Sequence, residues 1–268
     1  MIKFEVEDKT YNMIDLGFKY VTEISEPTIT ETKPKTLFIP GRIGVVDFGE
    51  DIEESKVYYT FLANFRERHL FIDALNKLKQ ILLDEYGFPK YVKIIRDYDP
   101  LRYFWAKVRV ASIPRISDSL KSFTLEFRLS DPFSYSTHEV NDVRWGSTSI
   151  DFRADYKLGH EGSGAVDLHV KGSTSFLPTL DGYAVQPYII LQGSSSSFTI
   201  RTGTSYITHS GFSGRLEIDT ENYIAYLNGK ELFLQRFDEF YLVPNEKVHL
   251  TGTNMDFKIT VHYRWKYI

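Results

Sequence analysis

Alternation of apolar and polar residues, sustained over much of the chain, constrains this sequence more than any other feature. Val57, Tyr59, Phe61, Ala63 and Phe65 fall on one side of an extended segment. Phe104, Ala106, Val108 and Val110 repeat the pattern. So do Phe123, Leu125, Phe127 and Leu129, with Thr124, Glu126 and Arg128 between them. Phe257, Ile259, Val261, Tyr263, Trp265 and Tyr267 alternate with Lys258, Thr260, His262, Arg264 and Lys266. A period of two marks half-buried antiparallel strands, whose successive side chains point to opposite faces. The 20 Phe, 18 Tyr and 3 Trp among 268 residues suit such strands, because aromatic side chains pack well on a pleated surface.

One segment breaks the alternation. Between Glu67 and Asp84 the apolar residues Phe71, Ala74, Leu75, Leu78, Ile81 and Leu82 recur at helical spacing. This predicts one amphipathic helix over about 67–84, packed on a sheet and stopped by Gly87 and Pro89. A polar, weakly patterned stretch runs from His138 to Gly164, so the expected division is 1–136 and 137–268. In the second part, turn signals such as Gly193, Gly203, Gly211, Gly214 and Asn228-Gly229 indicate a β-sandwich. Asn228-Gly229, set between Ile224–Leu227 and Leu232–Leu234, is a hairpin signal. The expected fold is therefore mainly β: an N-terminal β-sandwich-like domain with one packed helix, then a C-terminal β-sandwich.

Composition narrows the chemistry. The absence of cysteine excludes disulfides, thiol nucleophiles and cysteine-bound zinc, and fits synthesis in a reducing cytoplasm. No apolar run approaches the roughly 20 residues that span a bilayer, and Met1–Asp8 lacks the apolar core of a signal peptide. Residues 1–135 carry 20 Lys+Arg and 21 Asp+Glu, and residues 136–268 carry 12 and 15, a net charge of −1 and −3. Neither half is basic, which argues against binding nucleic acid through its phosphates.

No catalytic, cofactor or metal motif emerges. The histidines His69, His138, His160, His169, His209, His249 and His262 show no helical metal-site spacing. Gly211-Phe212-Ser213-Gly214 misses the spacing of a nucleophile elbow. Asp97 and Asp99, beside Arg96 and Arg102, read as a turn ending at Pro100 rather than as a carboxylate pair for hydrolysis. Gly162-Ser163-Gly164 is too slight for a phosphate loop. Tyr156, Tyr183, Tyr188, Tyr206, Tyr223 and Tyr226 leave open a sandwich that stacks on sugars, although aromatics of this kind more often serve the core.

Two short signatures remain. Phe38–Gly49 reads F-I-P-G-R-I-G-V-V-D-F-G, in which Pro40-Gly41 suits the centre of a type II turn. Ser130–Tyr135 reads S-D-P-F-S-Y, where Asp131-Pro132, followed by Phe133, closes a strand. In this order, with Ile14–Gly17, Ile24–Pro27, Pro187–Gly193, Leu216–Asp219 and Asn228-Gly229, they resemble the distal tail proteins of siphophages. The motif residues carrying the resemblance are Pro40, Gly41, Arg42, Gly44, Asp47, Phe48, Gly49, Asp131, Pro132 and Phe133.

That resemblance implies a structural, non-enzymatic hub at the virion tail tip, assembled in the host cytoplasm. It implies a homo-hexameric ring, formed by N-terminal domains, with galectin-like or carbohydrate-module-like sandwiches at its outside. The implied partners are the tail tube protein, a tail-associated lysin or tip protein and other baseplate or receptor-binding proteins, with DNA passing through the channel and no membrane contact. A closed ring needs two different faces per protomer, and the arm from Glu26 to Val46, kept extended by Pro27, Pro34 and Pro40, is expected to supply one by strand addition. The alternatives are a carbohydrate-binding adhesion module, a polysaccharide hydrolase, and the same hub in a tail-like bacteriocin.

Overall fold

The computed structural model describes all residues except 1, 8, 19, 27, 28, 30, 64, 66, 113–120 and 144–164. Pro27, Tyr156, His160 and most of the polar stretch, 144–164, lie outside the described residues. The chain is mainly β and divides into two compact units, Met1–Tyr135 and Ser136–Tyr267. Among the described residues no helix is long and apolar enough to cross a membrane.

The first unit contains β1 (Ile2–Val6), β2 (Lys9–Asn12), β3 (Tyr20–Ser25), β4 (Thr32–Phe38), β5 (Val45–Ile52), β6 (Ser55–Ala63), α1 (Arg68–Leu82), β7 (Tyr91–Arg96), β8 (Arg102–Ser112) and β9 (Lys121–Leu129). Seven strands pair antiparallel in the order β2-β1-β7-β8-β9-β6-β3. Phe4 on β1 and Phe127 on β9 are three places apart in that order, about 14 Å in a flat sheet. Their ring centroids are 5.4 Å apart, so the sheet curls over on itself and closes a core as a sandwich does. Helix α1 covers that core with Phe71, Ala74, Leu78 and Leu82. It is shorter than the spacing predicts: Leu83 is already extended and bridges to Pro89, so the chain leaves the helix before Gly87.

The alternation fails at one point in β8. A register shift between Val108 and Val110 sets Val110 opposite Glu126 rather than continuing the run of Phe104, Ala106 and Val108. An extra residue in one strand has this effect, because two residues then oppose one on the partner.

The short strand β10 (Ser134–Ser136) carries the chain into the second unit. There follow β11 (Leu168–Val170), β12 (Thr174–Phe176), β13 (Tyr188–Ser195), β14 (Ser197–Thr202), β15 (Ser205–His209), β16 (Phe212–Asp219), β17 (Ile224–Leu227), β18 (Lys230–Glu231), β19 (Arg236–Phe237), β20 (Val248–Thr253), β21 (Asp256–His262) and β22 (Lys266–Tyr267). Two sheets form, β11-β21-β13-β16-β17-β18 and β12-β20-β14-β15-β19. Leu191, Leu216 and Ile259 of the first share one core with Ile200, Ile207 and Leu250 of the second. Phe212 joins the sheets, with Phe198 at 5.6 Å and Phe257 at 5.5 Å. The unit is thus a β-sandwich. Asn228 and Gly229 turn its β17–β18 hairpin with φ of +52° and +78°. The return arm is shorter than the sequence suggests: β18 ends at Glu231, the Leu232 N–H adds one bond to the Ala225 carbonyl at 2.8 Å, and Phe233 stands in solvent.

The alternating residues from Phe257 to Tyr267 are all buried, but the strand breaks after His262. Ser136 holds the broken part. Its N–H donates to the Trp265 carbonyl at 3.0 Å, and its hydroxyl accepts from the Trp265 N–H at 3.1 Å. Arg264 donates to the carbonyls of Ser136 and Thr137. A fragment that starts at Ser134 should therefore melt higher than one that starts at His138, by about 1–3 kcal/mol, the cost of leaving buried polar groups unpaired. Denaturant melts of the two fragments measure the difference.

Candidate functional site: a hairpin arm and its anchor

Among the described residues, strands β4 and β5 pair only with each other. The sequence suggests one extended arm to Val46, but the structure doubles the chain back into a hairpin, because Pro40-Gly41 turns it. Gly41 has φ +86°, and the Arg42 N–H donates to the Ile39 carbonyl at 3.1 Å, as in a type II turn. Gly44 also takes a positive φ as the chain leaves the turn for β5. The end of the motif forms a bulge. Thr36 pairs with Asp47 and Pro34 with Glu50, so β5 holds one extra residue opposite Lys35. Gly49 accommodates it with φ +91°, and its N–H donates to Asp47 Oδ1 at 2.8 Å. Proline belongs at such a place, because it offers no N–H to a regular ladder.

Every residue of β4 is exposed, and so is nearly all of β5. Leu37, Phe38, Ile39, Ile43, Val45 and Phe48 are all open to solvent, and Ile43 has 101% of its reference surface accessible. Charged residues occupy the base, where Lys35 meets Asp51 at 2.6 Å and Lys33 meets Glu53 at 3.8 Å. The Glu53 N–H donates to the Glu31 carbonyl at 2.9 Å, which closes the base.

Upstream of the arm, Glu26 is pinned to the curled sheet. Its Oε1 accepts from the Tyr59 hydroxyl at 2.7 Å and the Tyr98 hydroxyl at 2.6 Å. Its Oε2 accepts from Arg96 at 2.9 Å, and Arg96 also donates to Asp99 at 2.7 Å. The guanidinium lies 4.4 Å from the Phe104 ring centre. Burial, and then the Glu26 carboxylate, push both tyrosine hydroxyls well above their ordinary range. Burial disfavours the Arg96 charge, but Glu26 and Asp99 outweigh it and hold the guanidinium protonated. Both carboxylate oxygens of Glu26 already hold donors, so this cluster anchors the chain rather than moving protons.

The sequence did not reveal this anchor, because its members are far apart in the chain. One signal was present. Val92, Ile94 and Arg96 share an inward face, and an inward arginine needs a buried acceptor.

The other candidates do not gather into a site. Among the described residues no group of three or more His, Asp or Glu is placed to hold a metal. His169 pairs with Asp256 at 2.7 Å, and His262 with Glu139 at 3.1 Å. Ser213 lies within β16, with no helix after it to make an elbow. Asp99 is tied to Arg96, and the turn after it is closed by the Arg102 N–H on the Asp99 carbonyl at 3.4 Å. Tyr188 donates to Glu217 at 2.8 Å on one sheet, while Tyr206 on the other lies 4.3 Å from the Arg236 guanidinium. Tyr223 rests on Phe237 at 5.5 Å, and Tyr183 and Tyr226 are exposed. In the second signature Pro132 and Phe133 are buried, and Asp131 accepts from the Phe133 N–H and the Tyr135 hydroxyl.

Known proteins supply the class. Residues 11–129, most of the first unit, match the family of phage tail protein RIFT-related domains. The first unit is thus similar to a domain of phage tail proteins, and the β-rich chain as a whole resembles the distal tail proteins of siphophages. Over 100% of both chains its fold follows that of the SPP1 Dit (gp 19.1) protein, described as a paradigm of the hub adsorption apparatus in phages infecting Gram-positive bacteria, with a TM-score of 0.71 and 15% identity. Chains of the phage P2 baseplate, activated with Ca or Sr, align over 100% of this chain and 98% or 100% of theirs at 10% identity. Their TM-scores are 0.39 and 0.41. No curated protein matches the chain in sequence.

The anchor and the turn predict different effects. Glu26→Gln should cost the first unit about 3 kcal/mol, because it leaves the buried Arg96 short of its main counter-charge. Tyr98→Phe should cost about 1 kcal/mol, the net worth of one hydrogen bond. Denaturant melts of the full chain test both. At Gly41 a Cβ would meet nothing within 4 Å, so Gly41→Ala carries only the penalty of left-handed backbone, about 1–2 kcal/mol. That strain falls on an arm outside the core. The expected result is an unchanged melt and weaker self-association than Arg42→Ala shows, read by light scattering across a dilution series.

Proposed function

We propose that this chain is the distal hub of a long, non-contractile phage tail. Six copies close a ring, with the first units joined side by side, at the virion tail tip. The ring links the tail tube protein above to a lysin-like tip protein and other baseplate or receptor-binding proteins below. DNA passes through the channel without sequence recognition, and the ring assembles in the host cytoplasm. The likeness in fold to SPP1 Dit across the whole chain supports this reading.

The observation that carries it is the exposed arm, set in a unit that matches the phage tail family. A lone two-stranded hairpin is at best marginally stable in water, and apolar residues at its tip add to the cost. An arm of this kind is expected where a neighbouring subunit covers it. Charge agrees, since a conduit for DNA should not grip its phosphates, and the first unit is close to neutral. The proposed role calls for no catalytic group.

Light scattering and negative-stain imaging of the purified protein, alone and mixed with tail tubes, test the proposal. Six-fold rings are expected. A strict monomer at high concentration that also fails to bind tubes would contradict it.

A further inference from the structure

The first unit presents a second surface on which apolar side chains are only partly covered by its own chain. A groove of about 360 Å³ lies between α1 and the β1–β2 end of the sheet. Val6, Glu7, Tyr11, Leu16, Lys77, Gln80 and Ile81 line it. Lys90 lines it too and leads back into a loop on which Tyr86 and Phe88 are 78% and 68% exposed. That loop is fixed in advance, because Asp84 Oδ1 accepts from the N–H groups of both Tyr86 and Phe88 at 2.9 and 2.8 Å.

Resting on the ring reading above, we propose that the hairpin tip of one copy seats in this groove on the next copy. The tip demands cover on both sides. Phe38 pairs with Val45 and Leu37 with Val46, and successive residues of a strand face opposite ways. A tip apolar on both faces is suited to insertion into a groove rather than to lying on a flat surface.

The groove is the acceptor for three reasons. Its walls combine the apolar Val6, Tyr11, Leu16 and Ile81 with a single carboxylate, Glu7, which Lys90 pairs at 3.0 Å, whereas the groove of about 420 Å³ beside the base of the arm is lined by four carboxylates, Glu26, Glu31, Glu53 and Glu54, and would repel an apolar tip. It lies at the β2 end of the strand order, and the arm leaves from the β3–β6 end. A surface meeting a different surface on an identical neighbour is the contact that builds rings, with closure set by the rotation between copies. The charges also agree. Asp47, on the Phe38 face of the hairpin, has no cation partner among the described residues, and Lys77 in the groove lining has no carboxylate partner among them. The occupant is thus a second copy of this chain.

Because the sequence contains no cysteine, an introduced pair reports a single contact. Copies carrying Ile43→Cys are mixed with copies carrying Gln80→Cys and mildly oxidised. Disulfide-linked dimers are expected, and the double variant should give a ladder up to six. Ile43→Cys paired with Lys56→Cys, beside the acidic groove, should give none. Ile43 is fully exposed, so Ile43→Asp should leave the melt of the monomer unchanged and weaken self-association at least tenfold, and adding Gln80→Lys should restore part of the loss. Rings that form without the Ile43–Gln80 link, and that Ile43→Asp does not weaken, would overturn the groove assignment and leave the hub reading standing. Failure to self-associate under any condition, with or without tail tubes, would overturn both.

Discussion

Two rings on one strand hold the first unit together. Phe123 on β9 meets Phe18 at 4.7 Å, Phe61 at 5.3 Å and Phe71 of the helix at 6.3 Å. Phe127, on the same face, meets Phe4 at 5.4 Å and Tyr59 at 6.1 Å. Each aromatic pair contributes about 0.5–1.5 kcal/mol beyond the burial of its surface. Together they fix the curl of the sheet, since β1, β6 and α1 all rest on β9. The curl in turn sets Tyr59 and Arg96 where they converge on Glu26. The anchor of the arm is therefore a product of the core.

The two units differ in how they satisfy their apolar surface. The sandwich turns its aliphatic and aromatic residues inward between two sheets and leaves mostly polar residues outside. The first unit does the same with its curled sheet, and then extends an arm that carries large apolar side chains into water. Such an arm gains little from its own chain, so its order is tied to whatever covers it. Anchoring by Glu26 and closure at Glu31–Glu53 reduce the entropy lost when that happens, because the base is already in place. The bulge held by Asp47 and Gly49 bends the arm and disturbs the regular edges that would otherwise invite indiscriminate pairing.

Much of this fold was legible in the sequence, for reasons that are local. Alternation placed the strands through Tyr59, Phe127 and Phe257, helical spacing found α1, and Asn228-Gly229 and Pro40-Gly41 marked turns whose backbone demands those residues. The failures were equally physical. The extra residue in β8 shifted the register between Val108 and Val110 without any breaker to announce it. The helix ended at Leu82 because Leu83 pairs with Pro89, a contact that depends on the fold. The Glu26 anchor joins residues 33 and 72 positions away, beyond the reach of pattern, although Arg96 on an inward face hinted at it. The Phe38–Gly49 motif was visible as a motif, but only the structure shows that it is the tip and bulge of one arm.

Amide hydrogen exchange over residues 32–52, compared between dilute monomer and assembled protein, tests the central claim most directly. If the arm is unsupported by its own chain and covered by a neighbour, its amides exchange rapidly in the monomer and become protected on assembly, while β9 amides stay protected in both. An arm already protected in the monomer, or still exchanging rapidly in the ring, would contradict the account.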